Sequence, residues 1–160
     1  MSTSQNLASV VPHFISSVLC TVGARFIFLN TQGEIKEISK AESFLLSNCN
    51  PLLVCHAPYT AHKIGLDNLA ALDILELYAF VFPTTFCVPT VHGVTKSLGL
   101  QPPQEDSDYP LSLIECADIL LSILTTHSKK EKLLEIAGVM GHNGRSWGWT
   151  PYVFAAMGQT

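Results

Sequence analysis

The sequence predicts an α/β domain with a small mixed sheet flanked by helices. Three observations carry this. The chain has 160 residues, the usual size of one domain. A strand-like run at Arg25–Leu29 and an alternating run at residues 34–38 are joined by a turn, and a wholly apolar run follows at residues 52–55. Beyond that run the pattern is mostly helical, which suits a sheet covered by helices.

Each element has its own signal. Arg25–Leu29 is rich in strand formers, Asn30-Thr31-Gln32-Gly33 makes a turn, and Glu34-Ile35-Lys36-Glu37-Ile38 alternates polar with apolar. That is a β-hairpin whose second strand is half exposed. Ser39-Lys40-Ala41-Glu42 is a capping box for a short helix to about Ser47, ended by Asn48, Asn50 and Pro51. Leu52-Leu53-Val54-Cys55 has no polar face and reads as a buried central strand. A helix follows through about Ile64. Asp73 caps a helix over 74–82 that stops at Pro83. Thr90 caps a helix over 91–98, with Gly99 as its left-handed terminus. Residues 100–108 are a loop, and residues 109–126 form the longest helix. Ser128-Lys129-Lys130-Glu131 is a second capping box, opening a helix to about Met140. Residues 141–148 form a loop, and Thr150-Pro151 caps and starts a last short helix ending at Gly158.

Composition excludes several classes. Apolar residues make up 48% and charged residues 14%, against roughly 25% charged in ordinary domains. With mean hydropathy +0.30, disorder and a long coiled coil are both excluded. A net charge of −4 argues against a strongly basic nucleic-acid-binding domain while leaving room for a local basic patch. The longest apolar stretch, 10–29, is broken by Pro12, His13, Ser16, Ser17, Thr21 and Arg25. No run reaches the roughly 18 residues of a membrane span. The first residues have no basic region of the secretory kind. The five cysteines include no CxxC, so the expected compartment is reducing and cytoplasmic.

The motifs GxxxxGK[ST], GxSxG, HExxH and GxGxxG do not occur. Cys55-His56 ends the presumed buried strand, where ligand sites gather in open α/β sheets. Neighbouring strand residues point to opposite faces, so the plainer reading is a core Cys55 and a structural His56. His56 and His62 make a metal site only if a carboxylate joins them. Asp73, Glu76, Glu115 and Asp118 are the acids embedded in apolar segments, and Glu115 and Asp118 share a helix face. They read either as carboxylates for two-metal chemistry or as a cap and a solvated helix edge. Arg145, Trp147 and Trp149 form an aromatic–basic cluster that suits base stacking or packing of the last helix. Lys129, Lys130, Lys132 and Arg145 are the densest basic group.

Four segments carry a resemblance: PLLVCHAPYTAHKIGL, ALDILELYAFVFPTTFCVPTVHGVTKSLGL, LIECADILLSIL and GWTPYVFAAMG. Together they resemble the N-terminal domain of alphaproteobacterial DinG-like ATP-dependent DNA helicases, itself similar to a decayed DnaQ-type 3′–5′ exonuclease with the RNase H-like fold. The resemblance covers roughly residues 25–158. It implies an extension over 1–24, one degenerate exonuclease-like domain over 25–160, and a helicase motor outside this chain.

The active exonucleases carry four metal-binding acids in three segments. The resemblance matches the first to the strand Arg25–Leu29, with Asn30 and no acid. It matches the second to His56-Ala57-Pro58-Tyr59-Thr60-Ala61, keeping His56 and placing Ala61 at the acid. It matches the third to Glu115, and it matches Asp73 to a fold-stabilising residue. One carboxylate does not hold two divalent cations. The expectation is therefore no catalytic residue and no metal site, with His56 and Glu115 as remnants. ATP and magnesium belong only to the motor. The partners expected are DNA and the motor domains, with no membrane. The DNA contacts expected are Lys129, Lys130, Lys132, Arg145 and Trp147. The domain is expected to position DNA or brace the motor. The alternatives are a residual metal-dependent nuclease using Asp73, Glu115 and Asp118, or a protein-interaction module marked by an exposed apolar patch.

Overall fold

The structure, a computed structural model, describes residues 14–126, 136 and 147–158. One five-stranded mixed sheet has the order β3-β2-β1-β4-β5. β1 (Ser17–Val22), β2 (Arg25–Leu29) and β3 (Ile35–Ile38) are an antiparallel meander. β4 (Leu52–Val54) runs parallel to β1, and β5 (Leu72–Asp73) runs parallel to β4. The α/β class and the hairpin of β2 with β3 therefore follow the sequence reading.

The middle strand does not. β1 lies inside the segment expected to be an extension over 1–24, and the domain already includes Phe14, whose ring is buried in the main core. Polar breaks in the 10–29 stretch hide two strands joined by a two-residue turn. Gly23 supplies the φ of +61° that this tight hairpin needs at its first loop position. β4 is interior but fourth in order, so the wholly apolar run marks a buried strand without marking the centre.

Strand alternation sends side chains to two cores. Leu19, Phe26, Phe28, Leu52 and Val54 face one way, where they meet Ile64 of α2 (Ala57–Ile64). Val18, Cys20, Leu53 and Leu72 face the other way. There they pack against α3 (Ile74–Val81), α4 (Val91–Ser97), α5 (Asp108–Thr125) and α6 (Thr150–Ala156). Leu113, Cys116, Ala117, Leu120 and Leu124 of α5 are buried, giving that helix its long contact with the sheet.

The helix termini follow the capping signals in most cases. α1 (Lys40–Leu46) has the full capping box of Ser39 and Glu42, with both backbone contacts at 3.1 Å. Asp73 caps α3 and Thr90 caps α4. Thr150 is a correction: it is the first residue of α6 rather than its cap, Trp149 precedes it without a side-chain cap, and Pro151 opens the helix. The second capping box and the helix expected from it lie outside the described residues.

Trp149 binds α6 to the sheet. Its indole is fully buried against Phe14 and Tyr152, with ring centroids 5.6 and 5.9 Å away, and its Nε1–H donates to the Asp73 carbonyl at 2.9 Å. Replacing Trp149 by Ala removes both the packing and a buried hydrogen bond. We expect a loss of about 3–5 kcal/mol, read as a lower urea midpoint.

Candidate functional site

β1 and β4 run parallel, so their carboxyl ends open on the same edge of the sheet. A groove of about 350 Å³ lies there. It is bounded by Cys20 to Gly23 from β1 and its turn, by Cys55, His56 and Tyr59 after β4, by Pro89 to His92 at the start of α4, and by Tyr109 of α5. Crevices outside the carboxyl ends of parallel strands are where open α/β sheets bind ligands.

Asp73 shapes one wall. The carboxylate is 5% exposed and accepts three backbone N–H groups: His56 at 2.9 Å, Ala57 at 2.7 Å and Leu75 at 3.0 Å. Two of these fix the turn from β4 into α2, and the third caps α3. Held this way, His56 takes φ +68° and ψ +76°, a left-handed conformation rare for a side chain with a Cβ. Its Nδ1 then accepts from the Tyr59 N–H at 3.1 Å, which leaves Nε2 to carry the ring proton. Strain of this kind persists only where surrounding bonds over-determine it.

The α4 wall comes close for a different reason. Gly93 donates its N–H to the Thr90 hydroxyl at 2.9 Å. A Cβ at Gly93 would lie 2.0 Å from the Val88 carbonyl oxygen, so only glycine lets this loop fold onto the helix start. His92 and Tyr109 meet edge to face across the rim, with centroids 5.5 Å apart.

The thiols of the groove carry their protons at neutral pH. Burial pushes the Cys20 thiol well above its ordinary range, and the nearby Cys55 adds to this. Cys55 is also driven up, by burial first and then by the Asp73 charge and the neighbouring Cys116 and Cys87. Burial raises Cys116 to about 12, with Glu115 and Cys87 contributing. Tyr109 is raised by burial, by Asp106 and by Cys20, against a lowering by Arg25. Protonated thiols are poor nucleophiles, so any attack by these sulfurs is slow at neutral pH.

Several expected residues lie elsewhere. β2 runs antiparallel to β1, so Asn30 emerges at the opposite edge of the sheet from His56. There it organises the hairpin turn, its Oδ1 accepting from Gln32 and Glu34. The strand beside β4 with its carboxyl end in the groove is β1. The strand Arg25–Leu29 thus does not bring its end to His56, whereas Cys20, Thr21 and Val22 of β1 line the groove beside it. Glu115 is also separate from His56: Cys116 takes the inward position, while Glu115 is exposed beside Pro102, Gln104 and Leu111. Asp118 is no solvated edge, because it accepts the Phe14 N–H at 2.6 Å. Cys55 is only half-buried, since the chain turns away from the sheet at His56. Ala61 is buried in α2, and His62 is exposed. Among the described residues no group of three or more His, Cys, Asp or Glu side chains is arranged to hold a metal.

Trp147 is half-buried. Its ring packs on Phe80 at 5.2 Å and its Nε1–H donates to Glu76 Oε1 at 3.3 Å. Lys129, Lys130, Lys132 and Arg145 lie outside the described residues. Sequence reasoning passed over Cys20, His92 and Tyr109. The Gly23-Ala24 dipeptide between two strand-forming runs was the available signal for Cys20. Comparison with protein-family models, with curated proteins and with solved structures finds no match to this chain.

Asp73→Ala strands three backbone donors, and we expect it to cost about 3–5 kcal/mol, measured by urea denaturation. His56→Gly in the same assay should cost little or add stability, because glycine accepts the left-handed φ. Glu76 has its own pH signature. Burial raises its carboxyl above the ordinary 4.5, the Trp147 hydrogen bond lowers it in part, and Asp73 raises it. A raised carboxyl favours the protonated folded state. Its contribution is therefore present below the unfolded value and is lost as pH climbs through the raised one. Glu76→Gln should gain stability relative to the parent protein as pH rises above about 4.5, seen as diverging denaturation midpoints.

Proposed function

We propose that this chain is a degenerate RNase H-like domain of the DnaQ exonuclease type. In this reading it serves without catalysis as an accessory module of a DinG-like ATP-dependent DNA helicase, and it braces the motor or positions DNA. One observation carries the reading. The carboxyl ends of β1 and β4 converge on a groove whose walls are Cys20, Cys55, His56, Tyr59 and Tyr109. Two-metal phosphodiester cleavage needs several carboxylates around ions roughly 4 Å apart. Two of the three acids that the nuclease alternative would use are committed to other work: Asp73 accepts three backbone donors, and Asp118 accepts the Phe14 N–H. The mixed sheet, with a meander followed by two parallel strands, supports the fold assignment, as does the His56 motif directly after β4.

Between the two roles, bracing is favoured by α1. Its buried residue is Ser43, while Phe44 and Leu45 are 49% and 72% exposed beside Ala41 and Ile64. An apolar face turned outward suits a protein neighbour. Trp147 is engaged with Phe80 and Glu76, which lessens its value as a stacking platform for bases.

The test is incubation of the purified chain with single-stranded DNA in magnesium or manganese, together with its melting temperature with and without each ion. We expect intact DNA and no ion-dependent gain in melting temperature, since a ligand stabilises only a folded state that binds it. Digestion from the 3′ end that disappears in Glu115→Gln would replace this reading with the nuclease one.

A further inference from the structure

The last paired rung between β1 and β4 sets Val18 opposite Leu53. Side chains return to the same face every two residues. Two residues further along the chain stand Cys20, inside β1, and Cys55, the residue just past the end of β4. Both pack against the same core, and both line the groove. Adjacent strands lie about 4.8 Å apart, within the roughly 4.4–6.8 Å between Cα atoms that a disulfide spans. Both thiols are free in this structure.

We propose that Cys20 and Cys55 form a redox-active dithiol that closes to a disulfide across β1 and β4 by exchange with a low-molecular-weight disulfide. This goes beyond the accessory role and holds whether or not the domain meets DNA. Burial divides the labour. Cys55 is half-buried at the groove, whereas Cys20 is buried behind it. The Cys55 thiolate attacks one sulfur of the small disulfide, whose S–S bond breaks to release one thiolate. The Cys20 thiolate then attacks the Cys55 sulfur, and the mixed disulfide breaks to release the second. The two cysteines lose two electrons, the small disulfide gains them, and the two cysteine protons end on the two released thiols. Desolvation of both sulfurs limits their thiolate fraction, so the exchange is slow at neutral pH.

The cluster contains rivals. Cys116 of α5 is buried in the same core, and Cys87 packs against it from the loop after α3. Cys49 packs on the opposite core and serves as an internal control.

The test uses the native chain, incubated with oxidised glutathione, quenched with acid, and read by intact mass and peptide mapping. We expect loss of two of the five thiols, one linked peptide pair carrying Cys20 and Cys55, and full reversal by dithiothreitol. Cys20→Ser should stop at the glutathione adduct on Cys55. Linkage through Cys116 or Cys87 would overturn the proposal. So would an adduct that persists on Cys55 while Cys20 is present, or retention of all five thiols over a period in which the urea-unfolded chain is oxidised. The mapping of the parent protein decides even if the variant fails to fold.

Discussion

A buried carboxylate organises one end of this domain. Ionised Asp73 has only acceptor sites, and removing them from water without partners is costly. Here the partners are backbone donors from two different helix starts. The cost of burial thereby becomes a constraint that joins β5, the turn after β4, and α3. The same residue's carbonyl receives the Trp149 indole, which brings in α6. Four elements thus meet at one residue of the shortest strand. The left-handed His56, the groove beside it and the closure of the main core all depend on that junction.

The legible parts of the fold were those written in local chemistry. Ser39 with Glu42, Asp73 before an apolar helix and Thr90 with Gly99 are short-range patterns, and the backbone obeys them. The Ile35–Ile38 edge strand was legible because Lys36 and Glu37 at its middle are exposed between two apolar ends. β1 was not legible in the same way. It is buried on both faces, so Ser17-Val18-Leu19-Cys20 carries no alternation, and such runs give no period to read. Thr150 was misjudged because a Thr-Pro pair looks like a cap, while Trp149 holds its position through tertiary packing.

The candidate site was harder still, because a groove is a property of topology. Cys20 and His56 are far apart in sequence and meet only because β1 and β4 run parallel. Asn30 follows a strand just as His56 does, yet strand direction sends the two to opposite edges. Glu115 and Cys116 are adjacent in sequence, and helical geometry decides which faces the sheet. Composition carried a true message at coarse scale: the groove walls are made of thiols, imidazoles and phenols, in keeping with a chain poor in charge.

Placing the middle strand first in the described chain bears on how the protein is made. The three-strand meander pairs near neighbours and forms from local contacts. β1 then waits with one side unpaired until β4, and after it β5, has left the ribosome. An unpaired strand rich in Val, Leu and Cys is a template for wrong partners. The capped helix α1 lies between the meander and β4 in the chain. Wound as a helix, its seven residues span less than an extended chain would, so little slack separates the meander from β4.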